Sequence, residues 1–331
     1  VTGLLRAELR RLYSRRLVRV LVALALLLIL IVEVRAFFVS NRDLDAAHRR
    51  AAAEAQRAQN GDNGLFAVQA CERARAAGRL PPDAQCPTVE DFRNQEPQNP
   101  DDYFQDPRFH SAKYLRDGAR AVAGGMAMLA FIIGASFVGA EWHAGTMQAL
   151  LLWESRRIRV VVAKAAALVL GLVAVTAALQ AVVYGADLLI GATRGTTAGL
   201  TSGLHMSALL TVARGMLIVS ATALLGFAIA GLARVTAAAL GFAFGYFVIV
   251  ENLIRFLRPG WERFLFTPNI NAVLLLKQDV APAHATRVHI EGLDVGNAYT
   301  LHAVRGVITL AIYLGILVGL FAWTFRRRDV T

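Results

Sequence analysis

A run of thirteen apolar residues, 20–32, follows directly on the basic stretch RAELRRLYSRRLVR. Five more long apolar runs follow it, and the last ends at Trp323, just ahead of Arg326, Arg327 and Arg328. A helix needs about 20 apolar residues to cross the hydrocarbon of a bilayer. The chain is therefore expected to be an all-α integral membrane protein with six transmembrane helices. Lysine and arginine concentrate in the cytoplasmic flanks of spans, so the arginine clusters at both ends predict that both termini are cytoplasmic.

The composition agrees with a membrane chain and excludes other classes. With 331 residues and 56% hydrophobic content, the sequence is too apolar for one soluble domain. Its net charge of +11 suggests nucleic acid as a partner, but no basic stripe with interleaved aromatics is present. The charge is that of arginines flanking spans in a lipid bilayer. Lys113, Lys164 and Lys277 are the only lysines, and alanine is abundant, which points to a GC-rich bacterial genome and a bacterial cytoplasmic membrane. Glu33, Arg35, Phe37 and Phe38 follow the first run in place of small residues, so it reads as a retained anchor, not a cleaved signal.

Residues 3–18 read as an amphipathic helix on the cytoplasmic membrane surface, with Leu5, Leu9, Leu12 and Tyr13 on one face. A plain basic anchor is the alternative. Span one covers 17–39. Residues 41–117 form a long polar insert, external by alternation. Its alanine-rich start, LDAAHRRAAAEAQRAQN, favours helix. A break at 61–64 and a second helical stretch at 65–77 follow, then Pro81, Pro82 and an irregular Pro-, Asn- and Asp-rich remainder. Cys71 and Cys86 share this insert, and in an oxidising compartment they are expected to pair as a disulfide, two free thiols being the alternative. They lack C-x-x-C spacing, so a zinc or redox site is not expected.

Span two covers 119–140, a cytoplasmic segment 141–159, and span three 160–190. Residues 216–250 are almost wholly apolar, interrupted by Arg234. At 1.5 Å per residue they would reach roughly 52 Å, too long for one crossing. This predicts two spans joined by a cytoplasmic turn at 231–236. Residues 255–302 are external. Within them FLFTPNINAVLLL is too short to cross and carries Pro268, Asn269 and Asn271, so it reads as a re-entrant or interfacial element. Span six covers 304–325. The short external link after span three carries only Arg194, against the many arginines of the cytoplasmic pieces.

Hydrolytic motifs are missing. No phosphate-binding loop G-x-x-x-x-G-K-[ST], no H-E-x-x-H pair and no G-x-S-x-G occurs. His284 and His289 lack a third ligand, and His143 and His205 read as polar surface or interface residues. Thr176, Gln180 and Tyr184 recur every four residues on span three and share a face. Asp187 and Arg214 lie near the outer ends of spans three and four, where they either pair or each snorkel to the interface. Glu33 and Glu251 read as interfacial. The pairs Gly241-x-x-x-Gly245 and Gly315-x-x-x-Gly319 permit close helix contact.

The most specific signal is Glu141-x-x-x-Gly145-Thr146 followed by Arg156, Arg157 and Lys164, between spans two and three. This stretch resembles the corresponding loop of ABC-2 type transporter permeases. The ending Phe325-Arg326-Arg327-Arg328-Asp329, the amphipathic start, the six spans and the polar insert between spans five and six resemble that family too. Trp153-Glu154-Ser155 stands where many members have a proline. The resemblance implies that 141–159 is a coupling segment docking on a separate ABC ATPase subunit. ATP and Mg would then reside on that partner, with no cofactor and no catalysis on this chain. It further implies a second permease copy, identical or related, and export of a hydrophobic or amphipathic substrate. On the residues alone, Met147, Leu150 and Leu151 could form an apolar docking face, or the segment is a surface loop with anchoring arginines. A membrane sensor with an external ligand-binding segment is the alternative function. An enzyme acting on lipid would need convergent Asp, Glu or His, which the sequence does not show.

Overall fold

Among the described residues, six helices are long and apolar enough to cross a membrane. The structure is a computed structural model describing residues 2–59, 62–79, 85–88, 90–91, 99–147, 156–280 and 299–327. Helix α1, Thr2–Ser14, precedes the first span, α2, Arg16–Val39. Helices α3, Leu44–Gln59, and α4, Asp62–Ala76, follow. The next spans are α5, Ser111–His143, α6, Arg157–Arg194, and α7, Ser202–Ala233. Span α8, Thr236–Leu257, contains a π-helical stretch, Gly245–Val250. A short helix α9, Phe266–Leu275, leads to the last span, α10, Ala303–Arg327. Strands are minimal. β1, Phe109–His110, pairs in parallel with β2, Gly195–Thr196. β3, Lys277–Val280, pairs antiparallel with β4, Tyr299–His302.

The division of the long apolar run occurs where charge and length require it. Helix α7 stops at Ala233, Arg234 turns the chain at φ 61°, and Val235 is extended before α8 starts. A helix normally places glycine at such a left-handed cap. Here the Arg234 guanidinium lies 4.7 Å from the centre of the Trp142 ring, a cation–π contact that holds the turn against α5. Other boundaries move outward. α5 already runs from Ser111, α7 from Ser202, and α6 has 38 residues, about 57 Å of helix. The amphipathic helix is shorter than residues 3–18, because Arg16 and Arg19 belong to the spanning helix α2.

Three spans form the centre. In α5, α6 and α7 the most apolar windows are 61%, 50% and 56% buried, against 11%, 11% and 17% in α2, α8 and α10. Ile133, Phe137 and Val138 of α5, Leu168 and Leu172 of α6, and Val219 and Phe227 of α7 pack into one cluster with Phe321 of α10 and Leu12 of α1. Lipid removes the hydrophobic drive between helices, so close backbone approach must hold them. It occurs at Gly134 and Gly226. A Cβ at Gly134 would strike the Ala223 carbonyl, and one at Gly226 the Phe131 carbonyl. The two G-x-x-x-G pairs do not serve this purpose inside the chain: nothing lies within 4 Å of a Cβ at Gly241, Gly245, Gly315 or Gly319.

Helix α9 spans only about 15 Å, and its buried residues include Phe266, Asn269, Ala272 and Val273. The free backbone groups at its ends are met by side chains of the spans. The Thr267 N–H donates to Glu251 Oε1 at 2.9 Å and the Phe266 N–H to the Tyr246 hydroxyl at 3.3 Å. At the other end Arg214 donates to the Val273 and Leu274 carbonyls, each at 3.5 Å. A carboxylate at the N-terminus and a cation at the C-terminus also complement the helix dipole.

The chain divides into two compact units, one comprising Val1–Glu33, Ala112–Asp187 and Gly199–Thr331 and the other Val34–Ser111 with Leu188–Ala198. The second unit thus starts before residue 41, ends before 117 and takes in the last turns of α6. Within it Arg42 donates to the Gly195 carbonyl at 3.2 Å and to the Ala192 carbonyl. His48 stacks on Phe104 with ring centres 4.2 Å apart. Cys71 and Cys86 are joined by a disulfide with Cα atoms 5.7 Å apart. The guanidinium of Arg108 hydrogen-bonds Asp106 and holds its carboxyl down at about 2. Pro81, Pro82, His284 and His289 lie outside the described residues.

The glycine contacts make a direct prediction. Gly134→Ala and Gly226→Ala should each destabilise the folded chain by about 1–3 kcal/mol through overpacking. Gly241→Ala and Gly319→Ala should leave the monomer unchanged. Thermal unfolding of the four variants in one detergent checks the contrast.

Candidate functional site

The apolar face of α1 carries an acid. Leu5, Glu8 and Leu12 are spaced i, i+3, i+7, so they share one face. Leu12 is buried in the core, Leu9 and Tyr13 close around Gly171 of α6, and the Tyr13 hydroxyl donates to the Gly171 carbonyl at 3.0 Å. This packing takes Glu8 to 0% exposure. Lys164, near the start of α6, is also fully buried, and Glu141, in the last turn of α5, is 7% exposed.

These groups form an alternating chain of charges. Arg15 Nη2 meets Glu141 Oε1 at 2.6 Å, and Glu141 Oε2 meets Lys164 Nζ at 2.7 Å. Lys164 Nζ meets Glu8 Oε2 at 2.7 Å, and Glu8 Oε1 meets the more exposed Arg11 at 3.0 Å. Arg15 also donates to the Ser136 carbonyl at 2.9 Å. The Phe137 ring lies 4.8 Å from the Arg15 guanidinium and 5.2 Å from Lys164 Nζ. Each buried carboxylate thus has cations on both oxygens. This is the condition under which buried charge is tolerated. The cluster fastens the end of α5, the start of α6 and α1 to one another.

The Gly-Thr pair closes α5. Gly145 has φ 68°, a left-handed conformation that glycine adopts without strain, and its N–H donates to the Trp142 carbonyl at 3.2 Å. The Thr146 hydroxyl donates to the Glu141 carbonyl at 3.3 Å. Met147 is 1% exposed in the chain's own core, so it offers no surface to a partner. Arg156 is exposed and Arg157 half-buried. Leu150, Leu151, Trp153, Glu154 and Ser155 lie outside the described residues, as do Arg328 and Asp329. Trp142 also contacts Phe325 edge-on at 6.1 Å. The end of α5, the Arg234 turn and the end of α10 therefore meet at one end of the bundle.

The polar face of α6 fastens helices. Thr176 and Asp187 are buried, and Gln180 Nε2 donates to the Ala119 carbonyl of α5 at 2.9 Å. The Tyr184 hydroxyl hydrogen-bonds His205 Nδ1 of α7. Asp187 and Arg214 are not brought together as an ion pair; Arg214 is directed to the end of α9. Among the described residues, no three His, Cys, Asp or Glu side chains are placed to hold a metal.

Two members of the cluster, Glu8 and Arg15, were not singled out from sequence. The signal was available for Glu8, the one acid of α1, placed on its apolar face. Arg15 carries no such mark among its arginine neighbours.

Over residues 4–330 the chain matches the model of a family described as ABC-2 family transporter protein. It belongs to that family. Neither the curated proteins nor the solved structures compared with it give a match. An ABC-2 membership makes the chain a multi-pass membrane permease of an ABC transporter, a transmembrane subunit of a generally non-catalytic kind, and implies an ABC ATPase partner.

Lys164→Met should leave two buried carboxylates facing each other and destabilise the permease by about 3–5 kcal/mol. Adding Glu8→Gln should recover part of that loss. Thermal midpoints of the wild type, both single variants and the double variant measure the coupling.

Proposed function

We propose that the permease exports a hydrophobic or amphipathic substrate across a bacterial cytoplasmic membrane, as one of two permease copies. The ATPase subunit, holding ATP and Mg, docks on residues 141–159 from the cytoplasm, and both termini lie on that side. The observation that carries this reading is the charge chain Arg15–Glu141–Lys164–Glu8. It ties both ends of the docking segment to α1, whose last turn leads through Arg15 into α2. A force on the segment is thereby passed to three helices at once. Nucleotide binding would bias the spans between two arrangements through that linkage.

The cytoplasmic assignment is supported by Arg234 and Arg326 lying near helix ends that meet at Trp142, with Arg15 paired to Glu141 in the last turn of the same α5. The weakly buried faces of α2, α8 and α10, with open glycines on α8 and α10, suit a second copy with the pathway between them.

Glu141 acts in this scheme as a positioning residue, because both its oxygens are taken inside the chain. Charge reversal there would disrupt the fold, so the exposed Arg156 and the half-buried Arg157 are the better probe. Arg156→Glu with Arg157→Glu should reduce co-purification of the ATPase in mild detergent at least several-fold while the permease still folds and inserts. A cysteine placed at Arg156 should react with an impermeant thiol reagent only from the cytoplasmic face. Wild-type recovery of the ATPase would remove the docking assignment, and external labelling would invert the topology. A kinase or regulator recovered in place of an ATPase would favour the sensor reading.

A further inference from the structure

The second compact unit contains a cleft of ≈ 290 Å³ that the transport reading does not use. Phe38, Val39, Ser40, Asn41, Arg50 and Arg194 are among the residues lining it. Its place in the fold is the exit of α2 from the apolar layer, since Val39 ends that span. Phe38 and Val39 are 75% and 70% exposed, so they offer an apolar rim on the membrane side.

Besides Ala46, Ala47 and Pro107, the remaining lining is polar or charged, with Arg50 and Arg194 as its cations. Among the described residues Asp43 is the one acid in the lining, and its Oδ1 accepts the Ala46 N–H at 2.8 Å, which fixes it as the cap of α3. The Asn41 N–H is tied to the Pro107 carbonyl at 2.9 Å, and the Asn41 side-chain oxygen accepts the Asp43 N–H at 3.1 Å. These bonds set the walls. Arg194 is held with its guanidinium 4.6 Å from the Phe37 ring centre, an arrangement that orients the cation without neutralising it. Among the described residues no carboxylate forms an ion pair with Arg50 or Arg194. Two uncompensated guanidinium groups, each a planar fork of donors, match the oxygens of a phosphate.

We propose that this cleft binds the phosphate of an anionic amphiphile at the membrane interface, namely an anionic phospholipid headgroup. Arg50 and Arg194 hold the phosphate, and the acyl chains leave along Phe38 and Val39. The cleft would thereby seat a lipid between the end of α2, the start of α3 and the end of α6, all within one unit. This inference stands apart from the coupling proposal, whose residues it does not share.

Native mass spectrometry of the whole chain released from detergent reads the occupancy, with phosphatidylglycerol or phosphatidylcholine added. Wild-type protein should retain phosphatidylglycerol in preference to phosphatidylcholine. Arg50→Gln with Arg194→Gln should lower that occupancy on the order of ten-fold, given the contribution of each arginine near an anionic surface. Arg49→Gln with Arg57→Gln removes the same charge from exposed positions of α3 and should retain the lipid. Equal loss in both variants, or in neither, overturns the site in favour of general surface attraction. Millimolar inorganic phosphate should not displace the lipid; displacement would show free phosphate to be the ligand and overturn the lipid assignment. If the double variant does not fold, Arg50→Gln alone, at an exposed side chain, is read against Arg49→Gln in the same way.

Discussion

Lys164 lies fully buried between two carboxylates. Glu8 and Glu141 each approach its ammonium at 2.7 Å, and the lysine has no exposed surface. Removing a charge from water costs several kcal/mol per ion, and only close opposite charges with further hydrogen bonds offset it. Here the offset continues outward through Arg15 and Arg11 until the charges reach solvent. The position of α1 follows from this. A helix of such low apolarity is kept against α6 by one leucine-rich face and by the one acid within that face. The termination of α5 follows too, because Glu141 must stop within reach of Lys164, and Gly145 turns the chain one helical turn later.

The same principle, polar groups satisfied in pairs, governs the opposite end of the bundle. Helix α9 is too short to cross, and side chains of the spans meet groups at both its ends. Glu251 and Tyr246 of α8 supply acceptors at its N-terminus, and Arg214 of α7 supplies donors at its C-terminus. The buried charges thus have two uses, fastening helices at one end and capping a short helix at the other. Between these ends the spans are held by contact, where Gly134 and Gly226 let the α5 and α7 backbones approach.

The spans were legible because their signal is local. Apolar length identifies a span, and 35 consecutive positions interrupted by Arg234 required a turn that the structure places at that residue. The family was legible from a short motif and the order of elements, and the match over residues 4–330 agrees. Partners across the fold were not legible. The motif assigns Glu141 and Lys164 to a segment facing an outside subunit, and spacing along one chain cannot show that Glu8, more than a hundred residues earlier, enters from the side. Depth alone offers Asp187 as one possible partner of Arg214, whereas Arg214 donates to Leu210 and Thr211 of its own helix and to carbonyls of a helix about sixty residues later. The G-x-x-x-G pattern failed for a related reason. It describes a surface suited to close contact, but only the packing shows which glycines are used.

An apolar core would have held α1, α5 and α6 together about as well, because replacing buried ion pairs by packed hydrophobic groups is often neutral or stabilising. The difference lies in how each resists displacement. Apolar faces in contact can slide with little change in free energy, since every new position still buries carbon against carbon. A chain of alternating charges cannot. Moving Lys164 away from either carboxylate leaves an unpaired charge in an apolar setting, at about 3–5 kcal/mol. Glu8, Glu141, Lys164 and Arg15 therefore fix the relative register of the three helices, and any large motion of the ends of α5 and α6 must carry α1 along. Arg15 then extends that constraint into α2, which begins at the next residue. In a membrane, where lipid is as good a neighbour for leucine as another helix, such polar fastening is the available means of making separate helices move as one body.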